Sequence, residues 1–356
     1  MKEEKVDILI IGGGLTGLTL AYLLRGEGLN IRIVEARDRW GGRIYTKRTE
    51  SGPPQEMGAT WLGKKHSALN NLLKELDLTI FEQNLSNKAI YEAISTSAPQ
   101  LVQLPPNNDP SFRIADGTEA IIEALKAYLL EDQLHKGERV LSIAEKGDQL
   151  MVKTDRTIID ASIVVSTLPP YLFAKTINIK TDLPKETQSI MAATHTWMGE
   201  SIKVSLTYLT PFWRIAYLSG TIFSNVGPIS EMYDHSNYED DSYALKGFFN
   251  GAYFSISKEE RLNLVLNQLR KYYGDLADKY INYEEQVWRN EPLTFAPYDS
   301  HLLPHQNNGH AVFRKNYFNG KLYIGGAETA DHHPGYMEGA VRSANFIAQS
   351  IMGSKS

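Results

Sequence analysis

The sequence predicts an α/β chain organised on a doubly wound sheet of the Rossmann type, and three features near its start predict it. Residues Val6–Ile11, VDILII, are a nearly continuous run of branched apolar side chains, the pattern of a parallel strand covered on both faces. Glycines at 12, 13, 14 and 17 follow and open onto the helical spacing of Leu18, Ala21 and Leu24. A second branched run, Ile31–Val34, then ends on Glu35, so a βαβ unit begins almost at the first residue.

Each later element follows from its own pattern. Asn71–Leu76 has helical spacing, whereas Ser97–Ser111 has the Pro and Asn density of a loop or crossover. The Asp-Gly-Thr-Glu stretch at Asp116 predicts a capped helix reaching about Leu130. Strands are expected at Leu150–Lys153, Ser162–Ser166, Lys203–Tyr208 and Lys321–Ile324, and Lys258–Tyr273 is a strongly periodic helix. Near the end, the break at Pro334 and Gly335 leads into a helix entered at Tyr336–Gly339. No internal repeat interrupts this order.

Composition narrows the chemistry. A chain of 356 residues, 42 % hydrophobic with net charge −5, has the profile of an ordinary soluble protein with one large or two moderate domains. The mild acidic balance and the lack of long like-charge runs argue against nucleic acid as a partner and leave small molecules. There are 0 cysteines, which excludes disulfides, thiolate nucleophiles, thiolate metal sites and a cysteine-linked cofactor. No apolar run approaches the roughly 20 residues of a membrane helix, and the N-terminus lacks a secretory pattern, so no membrane partner and a cytoplasmic location are expected. His332 and His333 are adjacent without a spaced third ligand, and no metal site is expected. The acidic stretch Tyr238–Ser242 reads as a solvated loop.

Gly12, Gly14 and Gly17 form G-x-G-x-x-G directly after a strand, with Leu15 and Thr16 opening the helix. That arrangement gives a tight turn, close backbone approach to a pyrophosphate, and a positive helix end aimed at it. Glu35 stands 18 residues past Gly17, placed to accept hydrogen bonds from a ribose hydroxyl pair and to disfavour a 2′-phosphate. Downstream, in Glu35–Thr46, Ala36 and Arg37 lead to Gly41 and Gly42, which let the backbone approach a second part of the cofactor. Arg43 beside them can neutralise a phosphate.

With VEARDRWGGR and then QEMGATWLG (Gln55–Gly63) in hand, the sequence resembles the flavin-dependent amine oxidases related to monoamine and polyamine oxidases. The resemblance resumes in GERVLSIAEKG, in ESIKVSLTYLTPFWR and in VWRNEPLTFAPYDS, and closes with YIGGAETADHHPGYMEGAVRSA, spread over most of the chain in the family's order. It implies FAD. Gly58, Ala59, Thr60 and Trp61 would lie under the flavin, Val140 would meet the adenine through its backbone, and Trp288 would belong to the same site. Gly326 and Glu328 would lie by the ribitol phosphate, and Tyr336, Met337 and Ala340 would bring the last helix's amides to the pyrimidine end of the ring. A helix N-terminus there stabilises the negative charge of a reduced flavin.

The resemblance also implies a catalytic aromatic pair, Tyr298 and Tyr336, guiding an amine to the flavin. Pro297 occupies the place of a flavin-linked cysteine, so FAD is expected to be non-covalent. The lysine that relatives place near flavin N5 is expected after the strand in Leu245–Ser255. Matching the Gly-Phe pair puts Tyr253 there, while Lys203 is read as structural. Without that lysine both an oxidase using O2 and a dehydrogenase using another electron acceptor stay open. Only about 37 residues, Thr79–Ala115, stand where relatives insert a helical segment, and a second copy in a homo-oligomer is one candidate to complete the cavity.

The expected architecture is thus a discontinuous FAD-binding domain (1–78, 113–205 and 287–356) and a smaller α+β substrate domain with a mixed sheet (79–112 and 206–286). The expected reaction is oxidation of a primary or secondary amine to an imine by hydride transfer to the flavin. The alternative is an FAD-dependent desaturase or dehydrogenase acting on a C–C bond of an apolar substrate, and a flavin-binding module without catalysis is the third reading.

Overall fold

A computed structural model describes residues 3–50 and 52–353. Strand β1 (Glu3–Ile11) pairs in parallel with β2 (Ile31–Glu35) on one side and with Ile158–Ser166 on the other. Helix α1 (Leu15–Leu23) crosses between β1 and β2. Side chains alternate along β1: Ile8 and Ile10 enter a core shared with α1 and the C-terminal helix (Met337–Gly353), while Leu9 and Ile11 enter the core on the opposite face. Both faces are therefore covered, as the unbroken apolar run requires.

The nine-stranded sheet forks at Ile158–Ser166. The first half of this strand pairs antiparallel with Gln149–Thr154, which continues to Val140–Lys146. Its second half pairs in parallel with Leu322–Ile324. The C-terminal part of the chain is thus carried back into the sheet one strand away from β1, and the last helix packs against α1.

A second sheet of seven strands runs in the order Tyr280–Val287, Ile202–Tyr208, Tyr243–Phe249, Ile229–Asp234, Ile222–Ser224, Lys88–Glu92, Gln100–Gln103. It is mixed, because Ile222–Ser224 and Lys88–Glu92 are parallel. Its apolar face, including Ile202, Val204, Leu206, Leu245 and Phe249, packs on the helix Lys258–Tyr273. Ser257 and Glu260 cap that helix reciprocally. The intervening residues Lys203, Ser205, Lys246 and Phe248 point to the other face, where Lys203, Lys246 and Phe248 meet the Gly58–Trp61 segment.

Four expectations change. The domain boundary after residue 205 falls inside Ile202–Tyr208, all of which pairs in the second sheet, so a boundary there would cut a hydrogen-bonded strand. The boundaries at 78 and 112 likewise divide a small sheet of Leu62–Gly63, Ser111–Ile114 and Ile80–Glu82. The helix expected from Asp116 to Leu130 is Ala120–Lys126: its Asp-Gly-Thr-Glu lead-in is held by Glu56, which accepts from Thr118 N at 2.7 Å. At the other end, turn bonds from Tyr128 N to Leu125 O and Leu129 N to Lys126 O tighten the last turn. Finally, Ser97–Ser111 contains the strand Gln100–Gln103, a mostly exposed edge without alternating hydrophobicity to signal it. Among the described residues no helix is long and apolar enough to cross a membrane.

Candidate functional site

One cleft of about 1770 Å³, mouth included, runs from the C-terminal ends of β1 and β2 to the polar face of the second sheet. At the first end, Gly12 has φ +108°, and a side chain at Gly17 would put Cβ 2.1 Å from Gly12 O. Gly17 therefore permits the strand-to-helix packing without lining the cleft, whereas Gly12, Gly14, Leu15 and Thr16 do line it. The first-turn amides of α1 are left for a ligand, since its first backbone bond runs from Leu18 N to Gly14 O.

Glu35 is buried, and its carboxylate accepts from Gly13 N and Arg37 N, each at 2.8 Å. Ala36, Arg37 and Val140 line the same end. Arg37 is held from across the chain by Leu293 O at 3.2 Å and Thr294 Oγ1 at 2.5 Å. Gly42 lines the cleft where its Cβ position would lie 3.4 Å from Gly14 Cα, a close backbone approach joining the two glycine motifs.

Gly58, Ala59, Thr60, Trp61 and Trp288 line the middle of the cleft. A Cβ on Gly58 would lie 2.0 Å from Arg43 O, and Trp288 Nε1 donates to Met57 O at 2.8 Å. Trp61 Nε1 donates to Gln83 Oε1 at 2.9 Å, and its ring leans on Phe248 and Tyr233. At the last helix, Tyr336, Met337 and Ala340 line the cleft. The first intrahelical bond there is Ala340 N to Tyr336 O, so the amides of Met337, Glu338 and Gly339 are left free as at α1. Glu338 is turned away and fully buried, accepting from Ala68 N and Leu69 N at the start of another helix.

Several of the expected side chains lie away from the cleft lining or in other pairings. Arg43 lines the cleft, but its charge is answered by Glu328 in a bidentate pair of 2.5 and 2.8 Å; Glu328 is fully buried and also accepts from Trp197 N. Burial opposes the Arg43 charge, yet the Glu328 carboxylate prevails and raises its pKa. Glu328 and Gly326 lie behind the lining; Gly326, at φ +123°, donates its N–H to Ser343 Oγ.

Tyr298 also lies outside the lining: its hydroxyl accepts from Thr196 N at 3.0 Å, its ring packs on Tyr171 and Phe295, and burial pushes its pKa up to about 12. Tyr336 instead meets Trp197 at 5.8 Å and His305 at 5.9 Å, and Trp197 is a cleft residue lying over Gly335. The aromatic wall beside Tyr336 is therefore Trp197, whose sequence neighbourhood carried no motif.

Tyr253 does not line the cleft, and Lys203 does. Lys203 Nζ donates to Gly58 O and lies 5.6 Å from the Trp61 ring and 5.0 Å from the Phe248 ring. Burial pushes its pKa down to about 8. A lysine is thus present on the cleft wall, on Ile202–Tyr208 rather than after Tyr243–Phe249; alternation along the strand, which sends Lys203 opposite to Ile202 and Val204, was the signal that could have found it.

A cleft with unbonded helix-start amides at both ends and a buried carboxylate at one has the length and the donors to take a long dinucleotide. The chain belongs to the flavin containing amine oxidoreductase family, which matches residues 15–108 and 95–352. It is 25 % identical to amine oxidase [flavin-containing] B of Sus scrofa over 98 % of this chain and 86 % of that one. It is equally similar, at 25 %, to a probable flavin-containing monoamine oxidase A of Dictyostelium discoideum, covering 97 % of both. The alignment with the Sus scrofa protein spans 455 positions against 356 residues here, so that relative carries segments this chain lacks.

Among solved structures, putrescine oxidase bound to putrescine superposes with a TM-score of 0.85 at 22 % identity, covering 99 % of this chain and 100 % of that one. Cyclohexylamine oxidase from Brevibacterium oxydans IH-35A gives 0.85 at 19 %, covering 98 % and 99 %. The protein is a flavin-dependent enzyme. Its cofactor is FAD, held without a cysteine link because the chain has 0 cysteines.

Proposed function

We propose that the enzyme oxidises a primary or secondary amine at its α-carbon, giving an imine that water hydrolyses, with O2 or another acceptor closing the cycle. The observation that carries this reading is the free helix start at Met337–Gly339 facing a wall of Trp197, Tyr336, Trp61 and Lys203. FAD, when bound, supplies the hydride acceptor. The first-turn amides of α1 would hold its diphosphate and Glu35 its ribose, while the amides of the last helix stabilise negative charge at the opposite end.

Tyr336 and Trp197 present ring faces suited to orienting an amine. The relatives named for oxidation of putrescine and cyclohexylamine support an amine as substrate. Lys203 bears on turnover with O2, because the absence of a lysine was what weakened that route. The test is an anaerobic panel of amines followed by loss of flavin absorbance, then admission of oxygen with measurement of peroxide. Bleaching and rapid recovery with peroxide support an oxidase. Bleaching without recovery assigns another acceptor, and a flavin that no amine bleaches contradicts the proposal.

A further inference from the structure

Two separate loops hold Trp197 on the wall of the cleft. On its own loop the backbone is gripped at both polar atoms: Trp197 N–H donates to Glu328 Oε1 at 3.1 Å, and Trp197 O accepts from Arg43 Nη1 at 3.0 Å. Met198, next in the chain and also a cleft residue, has φ +58°, a left-handed backbone that a side chain of this kind adopts only where its surroundings enforce it. On one flank the indole lies over Gly335, where a Cβ would stand 2.7 Å from Trp197 Cβ. On its face lies His305, whose imidazole stacks on the indole with 3.7 Å between centroids and 23° between planes.

His305 itself does not line the cleft. It sits at φ +60° in a second loop, in which Asn307 is also left-handed at +58°. The two loops are laced together behind the rings. His305 N–H donates to His195 Nδ1 at 3.3 Å, His195 N–H to Gln306 O at 3.0 Å, and Asn307 Nδ2 to Ala193 O at 2.9 Å. Burial lowers the His305 pKa, and the neutral ring accepts from Asn308 Nδ2 at 3.3 Å, which fixes the plane of the imidazole. The result is a corner and not a slot. To receive a guest between them, two rings must stand about 7–8 Å apart, one van der Waals contact of ~3.5–4 Å on each side. Trp197 and Tyr336 are only 5.8 Å apart, inclined at 42°. His305 lies 5.9 Å from Tyr336, so the three rings close a triangle that admits nothing between its members.

We infer that His305 is a positioning residue that locks Trp197 against Tyr336, and that the closed corner selects slim, unbranched alkyl amines over amines branched or ringed at the α-carbon. A slim chain lies along the corner with its α-carbon against the two ring faces. A branched one drives its second substituent into Trp197, which cannot turn aside while His305 backs it on one side and Gly335 on the other. His305 acts through Trp197 and not by contact with the substrate. The selectivity rests on the amine-oxidation reading; the lock on the indole does not.

The test compares n-hexylamine with cyclohexylamine, equal in carbon count, as anaerobic reductants of the flavin in the FAD-loaded protein, in the natural sequence and in His305→Asn and His305→Phe. Asparagine tolerates the left-handed backbone and removes the ring, whereas phenylalanine keeps a ring in the stack. His305→Gly, at home at positive φ, serves if the asparagine variant folds poorly. The natural protein should favour n-hexylamine at least about tenfold in the second-order rate constant of reduction. In His305→Asn that preference should fall about tenfold, through weaker half-saturation by n-hexylamine and a gain for cyclohexylamine, with the limiting rate for n-hexylamine little changed. His305→Phe should keep the preference. The same proteins labelled with 5-fluorotryptophan give a 19F line for Trp197, identified by its loss in Trp197→Phe. It should be single and narrow in the natural and His305→Phe proteins and split or broadened in His305→Asn. Equal use of both amines by the natural protein, or a preference that survives loss of the ring, overturns the selectivity. A Trp197 line unchanged in His305→Asn overturns the lock, and amine bleaching beside it keeps the function. The predicted 19F spectra in a protein that no amine bleaches keep the lock and remove the function.

Discussion

The two ends of the cleft are built from different parts of the polypeptide. Around α1 the cleft is lined by main-chain amides and glycine Cα atoms from a stretch of about thirty residues, with Glu35 as the principal side chain. At the far end the lining is side chains, Trp61, Trp197, Lys203, Phe248 and Tyr336, delivered by four distant segments. The first end is set by backbone conformation, and substitution there fails by steric clash. The second is set by the register of strands and packing of rings, so a substitution there can alter chemistry while the cofactor stays bound.

Substitutions sharpen that contrast. The largest effect is expected where the halves are tied together: Arg43→Met strands the fully buried Glu328 carboxylate and should cost about 3–5 kcal/mol of unfolding free energy in denaturant titration. Gly17→Ala drives Cβ into Gly12 O and should cost about 3 kcal/mol together with loss of flavin absorbance; a stable, yellow variant would break the claim that backbone packing makes this end.

Lys203 gives a pH signature from the opposite end. Its folded pKa is near 8 against an ordinary 10.5, so in that interval the unfolded chain binds the proton that the native state has lost. Stability therefore rises with pH from about 8 toward 10 and is lower by a constant amount below 8. Lys203→Met should remove this dependence and, at neutral pH, raise stability by about 2–3 kcal/mol relative to the natural protein, read from paired unfolding curves across pH.

Glu35→Ala should weaken FAD binding about 10- to 100-fold by equilibrium titration, leaving the reduction rate at saturating FAD unchanged. The smallest effects separate the two tyrosines. Tyr336→Ala should slow anaerobic flavin reduction about tenfold with FAD retained. Tyr298→Phe, which loses one bond from Thr196 N, should lower stability by about 1 kcal/mol and leave that rate alone. Equal slowing by both would restore the Tyr298–Tyr336 pairing that the ring contacts argue against.

The same contrast decides what could be read from the sequence. The turn at this end was legible because glycine spacing and an acidic strand end report local backbone, and Gly12, Gly14, Glu35 and Gly42 all line the one cleft. The helix Lys258–Tyr273 was legible to the residue, since its periodicity, its Ser257 cap and Gly274 agree. Lys203 was misread because strand alternation reveals that it faces away from Ile202 and Val204 but not what lies opposite. Trp197 and Lys246 left no trace: one sits in an irregular loop, the other in a run, Tyr243–Phe249, whose pairing on both sides is long-range. Arg43 and Glu328 each carried a motif, yet their union across 285 residues of chain is tertiary information.

The central claim is that amides at the starts of the first and last helices grip one FAD molecule. Reconstitution of the purified chain with FAD, followed by equilibrium dialysis and visible absorbance, tests it most directly. The predicted result is a yellow protein holding one FAD per chain, released by denaturation as free cofactor; a colourless protein that takes up no FAD would contradict it.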